Sequence, residues 1–219
     1  MQRAIRSDSM VDLSFEMRAL VDQLEPIARP GGKGRVLMFL GASKGAGTST
    51  VAREFARAAA ARSRRGVWLF DLDFARNGHW QQLRGQVDET FDASFGRQPF
   101  WRASPDGTRA RLVAHPVADH LYVTEFQRQR GAIERLEFGR SPDYWKAVRG
   151  SIDLAVIDAP GSSRAILPVT SDVDGVILVA DDMRWSEQSI AARRQAIEQR
   201  GGVVAGIVSN RARAARRAA

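Results

Sequence analysis

Apolar residues in this chain come in short unbroken runs rather than in strict alternation. VLMFL at 36–40, VWLF at 67–70, LAVI at 154–157 and VILVA at 176–180 carry no charge. Runs of four or five apolar residues ending in glycine or aspartate read as strands buried on both faces. VVAGIVS at 203–209 reads as the last such strand, ending at Asn210. Between the runs, residues 49 to about 62, 141–149 and 186–199 carry apolar positions at helical spacing. Ser141 is placed to cap the second of these helices, with Pro142 at its first position. Strands alternating with helices predict an α/β fold, a single domain with a doubly wound, mostly parallel sheet. Ligands in such folds sit at the carboxyl ends of the strands.

The flanks are less regular. Met10, Leu13, Met17, Leu20, Val21 and Leu24 recur at helical spacing and predict an amphipathic helix over 9–24. Ser9 and Asp12 offer a capping box at its start. Pro26, Pro30, Gly31, Gly32 and Gly34 end it and form a linker. Residues 75–110 are polar, dotted with glycine and carry Trp80, Phe91, Phe95, Phe100 and Trp101. They read as a variable helical or loop insertion. RLVA at 111–114 and LYVT at 121–124 read as two short strands around a turn at His115-Pro116. The expected organisation is a helix and linker over 1–34, the main domain over 35–210 and a basic tail over 211–219.

Composition narrows the classes. The chain of 219 residues is long enough for one α/β domain, and 44% hydrophobic with 26% charged residues is ordinary for a globular protein. No apolar run approaches the roughly 20 residues that span a bilayer, and MQRAIRSDSM lacks the apolar centre of a secretion signal. Without cysteine there is no disulfide or thiol chemistry. His79, His115 and His120 lack metal-ligand spacing. The net charge of +8 is carried almost wholly by arginine, since the lysines are Lys33, Lys44 and Lys146. Arginine favours forked contacts to phosphate and carboxylate.

The chemistry concentrates where the first run ends. GASKGAGTST at 41–50 follows a strand and opens a helix. That order makes a phosphate-cradling loop: glycines let backbone N–H groups turn inward, and the helix N-terminus adds partial positive charge. Gly41, Ser43, Lys44, Gly45, Ala46, Gly47, Thr48, Ser49 and Thr50 are the candidate cofactor-binding residues. The pattern G-x-x-x-x-G-K-[ST] calls for lysine after the last glycine, and here Thr48 stands in that place. Ser49 supplies the hydroxyl suited to Mg²⁺. Asp71 and Asp73 follow the second strand and Asp158 the third. Asp71 and Asp158 are candidate metal ligands, and Asp71 and Asp73, with Lys44, are the catalytic candidates. Backbone donors, a hydroxyl and strand-end carboxylates together predict a nucleoside triphosphate site for ATP and Mg²⁺.

These stretches resemble the cytoplasmic domain of bacterial tyrosine kinases of capsule and exopolysaccharide assembly, within the MinD/ParA class of P-loop ATPases. GASKGAGTST resembles that family's Walker A. VWLFDLDFAR at 67–76 resembles its second motif, and LAVIDAPG at 154–161 its Walker B, with Gly161 in place of a proline. VDGVILVADD and VVAGIVSN resemble its later strands, and the resemblance implies that Asn210 faces the nucleotide base. It extends over residues 10–210. It also implies a cytoplasmic protein, peripheral at the inner membrane through a membrane polysaccharide co-polymerase or export protein. A homodimer is a further implied partner; nucleic acid is disfavoured but stays open.

The departures define the expected function. Thr48 replaces the Walker lysine. The family's E-x-x-R-x-x-R oligomerisation pattern reads Phe15, Arg18 and Val21, and its C-terminal tyrosine cluster is absent: the only tyrosines are Tyr122 and Tyr144. The class's signature lysine falls at Ser43, one residue from Lys44, which either faces solvent or reaches a phosphate. Losing one charged hydrogen bond of about 1.5–3 kcal/mol weakens affinity roughly 10- to 150-fold, and catalysis by about 10³-fold or more. The leading expectation is a degenerate kinase-like ATPase with weak or no turnover, which regulates polysaccharide synthesis or export by docking. Two alternatives are a MinD/ParA-type positioning protein that binds DNA or membrane through Arg211, Arg213, Arg216 and Arg217, and an active enzyme using Lys44.

Overall fold

The computed structural model describes residues 13–24, 33–83, 89–105, 108–159, 164–183 and 185–211. In chain order they form α1 (Ser14–Leu24), β1 (Arg35–Gly41), α2 (Thr48–Ala60), β2 (Val67–Asp71), α3 (Gly78–Leu83), β3 (Phe91–Asp92), β4 (Trp101–Ser104), β5 (Arg109–Ala118), β6 (Leu121–Arg130), β7 (Arg135–Phe138), α4 (Pro142–Ser151), β8 (Leu154–Ala159), a 3-10 turn at Leu167–Ser171, β9 (Gly175–Asp181), α5 (Glu187–Glu198) and β10 (Val204–Asn210).

Eight strands make one sheet in the order β10-β9-β1-β8-β2-β6-β5-β3. The first six are parallel; β5 and β3 add an antiparallel margin. β4 and β7 pair separately. The apolar runs occupy the centre because helices cover both faces. Val36, Met38 and Leu40 of β1 join the cluster under α4, α5 and the 3-10 turn, while Leu37 and Phe39 join the cluster under α1 and α2. Five consecutive apolar residues therefore serve two cores, following the two-residue period of a strand. In α2, Val51, Ala52, Phe55, Ala56 and Ala59 are buried. The alanines let the helix approach the sheet, and the Phe55 ring lies 5.0 Å from that of Phe39. Burying such a ring stabilises the fold by about 1.5–3 kcal/mol.

Three expectations need correction. The hairpin does not turn at His115-Pro116: both lie within β5, paired with Val123 and Tyr122, and the chain reverses at Asp119-His120, where His120 takes φ 56°. Pro116 is tolerated because β3 pairs only with Val113 and Ala114, so no neighbour on that side needs its missing N–H. Residues 75–110, read as a variable helical or loop insertion, do carry the helix α3, but their described part also forms β3 and β4 and packs into the core. Ala93 and Phe100 are fully buried, Tyr144 donates its hydroxyl hydrogen to the Ala93 carbonyl (2.7 Å), and Phe74 stacks on Phe126 at 4.4 Å. The aromatic residues there complete the core over β2 and β6. Finally, Ser141 precedes α4 but makes no side-chain cap; its hydroxyl donates to the Gln98 carbonyl. The expected cap at Ser9 and Asp12, most of the 26–34 linker, Pro160 and Gly161, and the tail beyond Arg211 lie outside the described residues.

Candidate functional site

The parallel register brings the strand ends together. Phe39 of β1 and Asp71 of β2 flank Asp158 of β8 as Cα partners, and the glycine loop leaves β1 two residues beyond Phe39. Loop and acids thus meet at one edge of the sheet because three buried strands end at the same level. Gly45 and Gly47 take φ 78° and 82°, a left-handed backbone that glycine adopts without strain. Gly47 precedes α2, and no side chain caps that helix, so its first amides keep the free donor capacity of a helix N-terminus.

Around the loop the candidates separate. Thr48 is buried; Lys44, Gly45, Ser49 and Thr50 are exposed; Ser43 is half-buried, with its hydroxyl oxygen enclosed and unpartnered. Lys44 is the loop's one cationic side chain, and it stands in solvent. Asn210 donates its amide to the Ala46 carbonyl at 2.9 Å, and a Cβ on Gly47 would run into that amide. Arg211 donates to the Gly45 carbonyl at 3.3 Å and to Asp181 Oδ2 at 2.7 Å. The end of β10 therefore fastens the crown of the loop from outside. Asn210 thus holds loop backbone, and Arg211, offered from sequence for a patch meeting DNA or membrane, is bonded to the loop and to Asp181 while its side chain stays 54% exposed.

The acidic side of the site holds a residue that motif reading passed over. His79, on α3 and 2% exposed, donates its backbone N–H to Asp71 Oδ2 at 2.9 Å and sets its ring Nε2 2.9 Å from Asp158 Oδ2. With Asp158 ionised, Nε2 carries the proton of that bond. Asp71 Oδ1 accepts the Asp73 N–H at 2.9 Å. Burial pushes the Asp71 carboxyl above its ordinary range, against the opposing pull of His79 and of the two N–H donors. Asp158 Oδ1 and His79 Nδ1 are buried with no partner. Asp73 is more exposed, with Arg76 3.9 Å away. Its spacing in sequence put His79 outside any motif, and nothing local signals that its ring spans 79 positions to reach Asp158.

Magnesium needs several oxygens at about 2.0–2.1 Å in octahedral array. Both Asp71 oxygens and one of Asp158 are already committed to protein hydrogens, and Ser49 faces solvent. Among the described residues no group of three or more histidine, aspartate or glutamate side chains is placed to hold a metal ion. As arranged, Asp71 and Asp158 would have to share or give up these hydrogen bonds to hold Mg²⁺.

Beside the loop, a cavity of about 490 Å³ is lined by Ala42, Leu167, Arg164, Arg193 and Arg200, among others. Burial, and then the charge of Arg164, lower the pKa of Arg193. Two guanidinium groups therefore stand close enough to feel each other's charge.

This sheet order, with a glycine loop between the central strand and its helix, is that of the P-loop NTPase fold. Within it, the chain has the fold of bacterial tyrosine kinase domains and ParA-like ATPases. It is similar to the kinase domain of Escherichia coli tyrosine kinase ETK, with TM-score 0.62 and 17% identity, covering 100% of this chain and 86% of that one. The VpsO kinase domain aligns with TM-score 0.56 and 14% identity over 91% and 96% of the two chains. A plasmid partition protein from Borrelia burgdorferi, solved with AMPPNP, aligns with TM-score 0.55 and 17% identity over 84% and 78%. No protein family and no curated protein matches the sequence. Among the described residues no helix is long and apolar enough to cross a membrane.

Proposed function

We propose that this protein is a degenerate, tyrosine-kinase-like P-loop protein that works by contact rather than by phosphoryl transfer. The observation that carries this reading is the charge arrangement of the loop. Its glycine turns and helix N-terminus are those of a phosphate cradle, but Thr48 is buried where the Walker lysine belongs and Lys44 points to solvent. Backbone amides alone hold a triphosphate weakly, and among the described residues of the loop no buried side-chain cation faces the cradle to neutralise charge as a phosphoryl group departs. ATP, if held, is bound weakly, and Mg²⁺ adds little because both acids are already engaged.

The proposed partner is the membrane-bound chain-length or export protein of a surface-polysaccharide system, which would make the chain a peripheral protein on the cytoplasmic side. The likeness to the ETK and VpsO kinase domains supports the fold side of this reading, and the arginine-lined cavity supports an acidic contact. A MinD/ParA-type positioning role is favoured less, because the D-x-D motif at Asp71 and Asp73 resembles the kinase family and Ser43 stands at the signature-lysine position. Calorimetry with Mg-ATP on the native chain and on Thr48→Lys tests the nucleotide reading. Weak or no heat from the native chain, with binding gained about 10- to 150-fold in the variant, is expected from one restored charged hydrogen bond. Tight binding with brisk hydrolysis by the native chain would sink it. Co-purification with a polysaccharide co-polymerase, lost when Arg164 and Arg193 are both changed to Gln, tests the docking.

A further inference from the structure

We infer that His79 is a built-in occupant of the cation position, which closes the acidic half of the site to divalent metal independently of the missing lysine. The inference rests on the reading of a lapsed phosphate cradle and names a second, separate lesion within it. One residue engages both strand-end acids: its backbone N–H is bonded to Asp71 and its ring to Asp158, each at 2.9 Å. Nε2, which carries a proton when Asp158 is ionised, faces the oxygen that a cation or its water would take. The other Asp158 oxygen is enclosed by protein, so it offers no open approach.

The plug is held from both sides. Before it, Asn77 takes φ 50° and bonds β6 twice: its amide donates to the Phe126 carbonyl (3.1 Å) and its side-chain oxygen accepts the Phe126 N–H (2.8 Å). After it, the Trp80 ring stacks on His115 with centroids 3.7 Å apart and planes 10° from parallel. His115 in turn bonds Glu125 on β6 at 2.9 Å. The backbone at the start of α3 is therefore anchored on β6 before His79 and on β5 after it, which fixes where the ring is presented. A metal competing for Asp158 must first break a charge-assisted hydrogen bond. That lowers metal affinity by about 10- to 150-fold relative to a site without the ring.

Restoring the lysine and removing the ring separate the two lesions. Mn²⁺ serves as the probe, its binding in the presence of AMPPNP read by electron paramagnetic resonance on Thr48→Lys, Thr48→Lys/His79→Ala and Thr48→Lys/His79→Gln. The expected result is nucleotide binding by Thr48→Lys that is unchanged by EDTA, and Mn²⁺ binding tighter by at least about 10-fold in the alanine double variant. The glutamine variant, whose amide can still donate to Asp158, stays closed. Equal Mn²⁺ affinity in Thr48→Lys and its alanine partner overturns the role of His79 and leaves the lapsed cradle standing. Tight, metal-dependent nucleotide binding by the native chain overturns both. The native chain carries its own check, needing no variant to fold: the ¹⁵N resonance of His79 Nε2 should not move in millimolar Mg²⁺, and a shift there overturns the inference.

Discussion

The two ends of β8 present carboxylates in opposite conditions. At the amino end Asp153 is saturated: it accepts the backbone N–H groups of Arg64 and Arg65 at 2.8 and 2.9 Å, the Ser63 hydroxyl at 2.9 Å and the Arg65 guanidinium at 2.7 Å. Nearby, Arg149 grips Asp174 through two bonds of 2.9 and 3.0 Å and reaches the Asp172 carbonyl at 2.7 Å, while Asp174 also caps the Val36 N–H. At the carboxyl end, Asp158 has one bond to His79 and one orphaned oxygen, and Ser43 adds another unpartnered atom. The amino end is organised for stability. The carboxyl end leaves buried polar capacity unspent, as sites of chemistry or their remnants do.

That contrast can be broken in order of expected effect. Arg149→Ala should be the severest, because it removes the guanidinium that holds the 2% exposed Asp174 side chain through two bonds. Breaking a buried pair from one side costs about 3–5 kcal/mol, to be read by urea denaturation. A cost below about 1 kcal/mol would mean the amino-end network is not what holds the strands together.

Asp153→Asn should cost less, about 1–2 kcal/mol at neutral pH, since the group is partly exposed and an amide keeps one acceptor. Its pH dependence is the sharper test. Burial raises the Asp153 pKa, but the bonds from Arg65, Arg64 and Ser63 outweigh this and hold it well below the usual carboxylate range. The folded-state pKa lies below the unfolded one, so the stabilisation is complete above the ordinary carboxylate pKa and fades as pH falls toward the folded value. The native chain and the Asp153→Asn variant should therefore converge in stability in acid and differ at neutral pH. Parallel curves would refute the assignment.

The smallest effect should come from the same exchange at the other end. Asp158→Asn keeps an acceptor for His79 and removes a buried charge with an unpaired oxygen, so thermal unfolding should shift by less than about 1 kcal/mol in either direction. If it costs as much as Asp153→Asn, the two ends are alike and the carboxyl end is structural after all.

Much of this was legible along the chain, and for a definite reason. The central strands read correctly because burial on both faces forces continuous apolar runs, a signal local to four or five residues. The glycine loop read correctly because only glycine takes the φ of residues 45 and 47 without strain. The margin of the sheet did not. Pro116 looks like a turn residue unless one knows that β3 stops short of it, and Phe100 looks like loop until Phe74, Tyr144 and Trp145 close around it.

By itself, then, the sequence determined the central strands and the helices between them, the loop between β1 and α2 and the placing of Asp71 and Asp158 at strand ends, since each depends on neighbours a few positions away. Only the tertiary structure decided that Asn210 and Arg211 fasten the loop, that Lys44 stands in solvent and that His79 meets Asp158. Those outcomes rest on contacts between residues 79 to 166 positions apart. Such distances are set by how the sheet stacks its strands, and no periodicity or spacing along the chain encodes them.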